Sequence, residues 1–395
     1  MTQLQTEIEI HSSLKSITES DWDLCACPEA LQDERPFDPF TTYRFLKALE
    51  NSGSVGGNTG WQPQYLTAKN ENILMGVAPL YVKYHSQGEY IFDHNWAYAY
   101  EGAGGQYYPK LQMAVPFTPV TGRRLLVRSK FAEPAQSALI ASAIKLAERT
   151  NLSSFHITFC TEEEIACGHQ LGLMHRVGQQ FHWEDNSYQN FDDFLLSLSS
   201  RKRKNIRKER TQANDFTGTI EVLTGDDIKS CHWDAFWTFY RDTGARKWGV
   251  PYLTRGFFEE IHAHMRKDVV LIMARNPDGY FAGALNFVGR ETLFGRYWGC
   301  TKYQPCLHFE LCYYQAIEWA LAAGLTRVEA GAQGQHKLAR GYMPKQVHSL
   351  HWVSQPNFSD AISRFLEAER QAIGEDIEIL TEYGPFKTIE VEEYQ

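Results

Sequence analysis

This 395-residue chain has no uncharged apolar run approaching the ~18 residues needed to cross a bilayer; the best helical candidate, Cys312 to Leu325, is interrupted by Gln315 and Glu318. The first twenty residues, Met1 to Ser20, have neither the basic nor the apolar region of an export signal, so a soluble, cytoplasmic protein is expected. No CxxC pair occurs among the eight cysteines, and their scatter suits reduced thiols rather than a disulfide framework. No GxSxG stands out, nor any Ser/His/Asp arrangement, so nothing points to a covalent hydrolase. Positive charge is also in deficit. A formal net charge of -9 excludes a surface coated for DNA and confines any anion site to a local reversal of the field.

What is present describes a globular protein: 43% apolar and 22% charged residues can build real cores. The length fits two domains, expected at 1–185 and 186–395. In the first half, Thr41 to Asn51 reads as a helix stopped at Gly53, and Gln64 to Ala68 with Ile73 to Tyr84 as a hairpin. Extended aromatic-rich pieces are expected from Tyr90 to Val127, then an amphipathic helix at Ala132 to Arg149, a strand at Ser154 to Cys160, a helix at Thr161 to Leu171 and a strand at Met174 to Trp183. In the second half, Val269 to Arg275 and Tyr280 to Val288 form a hairpin over Asn276-Pro277-Asp278-Gly279. Thr292 to Cys300 follows as a strand, Phe309 to Ala323 as a helix and Thr326 to Ala330 as a strand. One plan is used twice, and it implies an α/β fold whose central sheet is antiparallel at first and parallel where a helix returns the chain.

The local charge reversal is Ser200-Arg201-Lys202-Arg203-Lys204-Asn205-Ile206-Arg207-Lys208-Glu209-Arg210. At 100° per residue, Arg201, Arg203, Lys204, Arg207, Lys208 and Arg210 fall within half the circumference of a helix. A bound polyanion offsets their mutual repulsion; a solvated face paired with carboxylates of an acidic protein is the plainer alternative.

This element order and basic run resemble the Fem-type aminoacyltransferases, tandem members of the GNAT acyltransferase superfamily. Nearly the whole chain is similar to a bacterial FemAB-like family of predicted N-acyltransferases with a peptidoglycan biosynthesis or recognition role. The resemblance rests on Gly88-Glu89-Tyr90-Ile91-Phe92-Asp93, Tyr107-Tyr108-Pro109-Lys110-Leu111, Ala114 to Gly122, the basic run, Gly295-Arg296-Tyr297-Trp298-Gly299-Cys300, Leu307-His308-Phe309-Glu310 and Gly331-Ala332-Gln333-Gly334-Gln335-His336-Lys337. It implies two tandem GNAT-like domains, each a mixed central sheet flanked by helices. It also implies direct transfer of an acyl or aminoacyl group to an amine, with acyl-CoA or charged tRNA as co-substrate and a peptidoglycan precursor among the candidate acceptors.

Direct transfer needs a base for the amine proton and donors for the developing oxyanion, and no covalent nucleophile. Glu329 and His336 flank the Gly331 loop at the carboxyl end of a strand, where α/β sheets place ligands, and lead the base candidates, followed by Glu310 and Tyr297. Arg296 joins Arg201, Arg203, Lys204, Arg207 and Lys208 as a donor or anion contact. Asp93, His94, Glu101, Trp298 and Gln333 are candidates to line an acceptor cleft. A structural role stays open for each: His336 as a helix cap, Glu310 in a first helical turn, Tyr297 in a core. The familiar Gly-rich GNAT donor loop is absent, which weighs against CoA. Cys306, His308 and Cys312 do not form a zinc pattern, so no metal is expected. The rival reading is a non-catalytic protein that recognises RNA or a cell-wall precursor through the basic helix.

Overall fold

The computed structural model describes residues 6–247, 251–332 and 334–387, without the side chains of 245–247. Its strands in chain order are β1 (Thr6–His11), β2 (Trp61–Pro63), β3 (Tyr65–Asn70), β4 (Ile73–Ala78), β5 (Leu80–Lys83), β6 (Lys110–Met113), β7 (Leu126–Val127), β8 (Ser154–Cys160), β9 (Met174–Glu184), β10 (Thr219–Thr224), β11 (Val269–Asn276), β12 (Gly279–Val288), β13 (Thr292–Cys300), β14 (Arg327–Glu329) and β15 (Met343–Val353). The residues form two compact units. One comprises Met1–Gln179, Pro251–Arg266 and Gln346–Gly374; the other comprises Gln180–Val250, Lys267–Lys345 and Glu375–Gln395.

The first unit holds an antiparallel sheet ordered β1-β3-β4-β7 and a second run β2-β5-β6-β8-β15, antiparallel except where β6 and β8 lie parallel. The helix Ala132–Arg149 carries the chain back to β8. Ala135, Leu139, Ile140, Ala143 and Ala147 are buried on it at helical spacing, packed with Leu111, Phe155 and Ile157.

In the second unit, β10-β11-β12-β13 form an antiparallel meander, β14 joins β13 in parallel and β9 closes on β14 antiparallel. The returning helix runs from Leu307 to Ala322 and includes a π-helical turn at Glu310–Tyr314. Glu310, Leu311, Tyr313 and Tyr314 all turn inward there, a crowding that an uninterrupted α-helix over Phe309 to Ala323 would spread around its circumference.

Two expectations change. A single cut at 185/186 does not separate the units, because the strand closing each sheet comes from the other half of the sequence. β9 follows β8 in the chain yet pairs with β14, and β15 follows β14 yet pairs with β8. The helix Arg255–Met265 also belongs to the first unit, where Phe257 meets Phe45 edge-on at 5.8 Å. Within the aromatic stretch expected to be extended, residues His94–Gly102 form a helix. Trp96, Ala97 and Tyr100 recur on one side of it and bury against Val353, Ile362 and Leu366, so tertiary packing overrides the β-preference of the aromatic side chains.

Candidate functional site

The parallel pair of the second unit is short. Thr292, Leu293 and Phe294 face Arg327, Val328 and Glu329, and beyond that β13 continues to Cys300 without β14. A bulge falls at the same place: Asn286 faces Gly295 while Leu285 faces Tyr297, which leaves Arg296 as the extra residue. Gly295 sits at the point of divergence, where an added Cβ would lie 3.3 Å from the Glu329 carbonyl oxygen. Past Glu329, Gly331 (φ 80°) and Gly334 (φ 120°) turn the chain into a short 3₁₀ helix, Gln335–Arg340.

That helix carries Lys337, which sequence reasoning quoted only as part of a motif. It is 1% exposed, and its Nζ donates to the Gly331 carbonyl at 2.7 Å. Burial pushes the ammonium pKa down to about 8. Beside it, the exposed His336 meets the Tyr313 hydroxyl through Nε2 at 2.8 Å, within an aromatic cluster of His308, Phe309 and Tyr313. Burial raises the Tyr313 hydroxyl far above the usual phenol range, so it stays protonated.

The other expected residues divide by the face of the sheet they occupy. Val328, Leu293 and Trp298 pack in the core beneath the Leu307–Ala322 helix, and Trp298 meets His308 at 5.2 Å. Alternation puts Glu329 and Tyr297 on the opposite face, where Tyr297 packs at 5.2 Å from Tyr240. Glu329 is 4% exposed, 3.4 Å from Arg327 Nε and 3.9 Å from His182 Nε2. Burial drops the His182 pKa to about 3, so the ring is neutral. Arg296 lies 5.4 Å over the Tyr297 ring. Gln333 falls outside the described residues.

Glu310 departs from its expected role as a base. It is fully buried and accepts from Arg210 Nη2 at 2.8 Å, Arg210 Nε at 3.1 Å and Gln315 Nε2 at 2.9 Å. It anchors the basic helix, which spans Ser200–Ala213 and buries Ile206 and Ala213. The six cations therefore separate. Arg210, nearest the buried stripe, binds Glu310 and Glu318, and Arg203 donates to the Leu198 carbonyl at 3.3 Å. Arg207 makes a loose exposed pair with Asp192 at 3.6 Å, while Arg201, Lys204 and Lys208 point to solvent. Glu209, on the far side, accepts from Arg340 at 2.7 Å and from the Tyr314 hydroxyl. It thereby ties the basic helix to the helical turn that carries Lys337.

In the first unit, Asp93 is buried rather than open to a cleft, and takes hydrogen bonds from Lys110, Ser86 and Tyr107. Burial opposes its charge, but the Lys110 ammonium prevails and holds the carboxyl well below the usual range. His94 and Glu101 are exposed on the helix that follows. Among the described residues no three His, Cys, Asp or Glu side chains form a metal-holding group, and no helix is long and apolar enough to cross a membrane. Cys306 lies 3.5 Å from Gln212 Oε1 and His308 packs on Trp298, so the Cys306, His308 and Cys312 trio forms no such group.

Structural comparison finds FemX at a TM-score of 0.53 and 14% identity, covering 90% of this chain and all of FemX. The C-terminal domain of a putative lysylphosphatidylglycerol synthetase from Agrobacterium fabrum matches at 0.52 and 7% identity, covering 88% of this chain and 97% of that one. A protein of unknown function from Bacteroides thetaiotaomicron matches at 0.51 and 10%, over 87% of this chain and 99% of its own. At these identities the likeness is one of fold alone. No curated protein matches. The FemAB-like family model, described as peptidoglycan biosynthesis/recognition, matches residues 13–388, and the chain belongs to that family.

Proposed function

We propose that the protein is an N-acyltransferase that moves an acyl or aminoacyl group directly from a phosphate-bearing donor to an amine of a cell-wall precursor, and that the second unit carries the reaction. The observation that carries this reading is Lys337, a buried amine bonded to the Gly331 carbonyl where β13 and β14 part. On this reading the ammonium donates to the oxyanion that forms when the acceptor amine attacks the ester or thioester carbonyl. The C–N bond forms, the C–O or C–S bond breaks, and the remainder of the donor departs as a free hydroxyl or thiol, taking up the proton that the amine gave to His336. His336, exposed and with Nε2 engaged by the Tyr313 hydroxyl, takes the amine proton at Nδ1; the family description supports a cell-wall acceptor. Glu329, on the other face, serves to pair with Arg327.

Arg201, Lys204 and Lys208, with Arg207, present a solvent-facing cationic stripe for donor phosphates, on a helix linked to the Lys337 segment through Glu209 and Arg340. The donor is acyl-CoA or charged tRNA. Thermal stability with several acyl-CoAs, charged tRNA and a soluble cell-wall precursor, at several salt concentrations, identifies it. A salt-sensitive shift with one donor, followed by acylated precursor in a product assay, is the expected result. Binding of RNA or precursor with no acyl product from any donor would replace this reading with that of a recognition protein.

A further inference from the structure

Position 286 on β12 belongs, by its place in the strand, to the apolar core of the second unit. Ala284 and Val288 on either side pack in that core, and so does Val270, which faces it across the strand pair. Alternation therefore asks for an aliphatic side chain, yet the residue is Asn286, 1% exposed. Its Nδ2 donates to the Val270 carbonyl at 3.2 Å. That bond fixes the orientation of the amide, because turning it over would set one oxygen against another. The other end, Oδ1, is buried and has no hydrogen-bond partner among the described residues. A buried carbonyl left unpaired costs stability that a leucine at the same place would not, so its presence calls for a partner that arrives from outside the chain.

The free oxygen lies where the two parallel strands part. Gly295 is opposite Asn286 in the strand register, and an added Cβ there would stand 3.4 Å from Oδ1, 3.3 Å from the Glu329 carbonyl oxygen and 3.6 Å from Ala330 Cα. Glycine keeps this approach clear, at a point where β13 is half-exposed. An added Cβ on Gly331 would in turn lie 3.9 Å from the Gly295 carbonyl oxygen, and the Gly331 carbonyl holds Lys337. Asn286, Gly295, Gly331 and Lys337 are thus successive neighbours around the divergence of β13 and β14.

An amide oxygen only accepts, so its partner must bring an N–H or O–H. The ester or thioester that reacts brings neither; the attacking amine does. We propose that Asn286 Oδ1 holds one N–H of the acceptor amine at this divergence and thereby selects a primary amine. The other N–H is then the one lost to the base, while the nitrogen lone pair forms the C–N bond. A secondary amine has a single N–H and cannot serve both partners. Being uncharged, the amide binds the amine without holding it in the ammonium form as a carboxylate would. The proposal rests on the amine-acceptor reading above, but its first test needs no acyl transfer.

The full-length protein, isotopically labelled at asparagine nitrogen, is titrated by NMR with Nα-acetyl-lysine. The side-chain amide of Asn286 is identified as the signal pair missing from Asn286→Leu, or from Asn286→Ser if the first variant does not fold. We expect a saturable shift of that pair, and none with the Nε-trimethyl derivative, which keeps the charge but has no N–H on that nitrogen. No shift with the primary amine, or the same shift with both, would overturn the assignment. With a donor that supports turnover, Asn286→Leu should raise the KM for Nα-acetyl-lysine about tenfold, the effect of one neutral hydrogen bond, and leave the KM for the donor unchanged. An unchanged KM for the amine, or an equal rise for both substrates, would also overturn it. Absence of turnover with every donor counts against the transfer reading and leaves the titration to decide the role of Asn286.

Discussion

Each unit has one parallel strand pair with a buried cation near its end, and the two cations live in opposite circumstances. In the first unit Arg124, 1% exposed, donates to the Thr158 carbonyl at 3.0 Å, the Val120 carbonyl at 2.6 Å and the Arg123 carbonyl at 3.2 Å, with Asp38 and Glu164 supplying negative charge nearby. Its own backbone and that of Leu125 donate to Glu164. The chain from Leu111 to Val120 is buried throughout, and Gln112 bonds Thr158 across the strand pair at 2.8 Å. In the second unit Lys337 donates to the Gly331 carbonyl and burial lowers its pKa to about 8, while Gly295 to Trp298 and Gly331 remain half-exposed. A guanidinium satisfied on several sides seals a fold; a desolvated amine beside an accessible strand end is suited to act as a reagent. On the function proposed above, the same strand plan leaves chemistry to one copy.

The largest expected effect tests the sealed side. Arg124→Leu strips three carbonyls and two acidic neighbours of their partner and should cost about 3–5 kcal/mol in urea unfolding; a loss under about 1 kcal/mol would remove the contrast. Next, Lys337→Met should lower turnover about a hundredfold to a thousandfold at saturating donor, the size associated with losing one oxyanion donor. Its stability should stay within about 1.5 kcal/mol of wild type, since the buried charge is itself unfavourable. A stability loss like that of Arg124→Leu would make Lys337 structural as well.

A pH series sharpens the same point. The folded pKa of Lys337, about 8, lies below its ordinary value of 10.5, so the unfolded chain binds more protons across that window. The side chain's contribution to stability should therefore rise as pH increases from 8 to 10.5 and be lost as pH falls through 8. The unfolding free energy of wild type minus that of Lys337→Met reads this directly, and a flat difference would contradict it. The smallest structural effect belongs to the surface: Lys204→Glu with Lys208→Glu should move stability by under about 0.5 kcal/mol while weakening a phosphate donor in a salt-dependent way. Unchanged donor affinity would return that stripe to ordinary solvated charge.

Local pattern made much of the fold legible. Ala132–Arg149, Ser154–Cys160 and Thr292–Cys300 stand where periodicity and turn residues put them, because each buries one stripe or face. The closing strands were not legible, since β9 and β15 carry no local sign of which sheet will pair with them. At the candidate site, the glycines of the Gly331 turn announced a sharp change of direction, and His336 was singled out by its nearness to that turn. Lys337 was missed because a lysine beside a glycine loop reads as exposed until its burial is known. Glu310 and Asp93 misled for the same reason: a carboxylate's chemistry depends on whether an Arg210 or a Lys110 already holds it.

By itself the sequence determined the periodic elements, the doubled strand plan, the cationic stripe and membership of a family, all properties carried by residues close together in the chain. Only the tertiary structure decided which strand closes which sheet, which cations are held and which face solvent, and that burial depresses the pKa of two amines, Lys83 and Lys337. Those outcomes depend on desolvation and on partners distant in sequence, such as Glu209 with Arg340, which no local window contains.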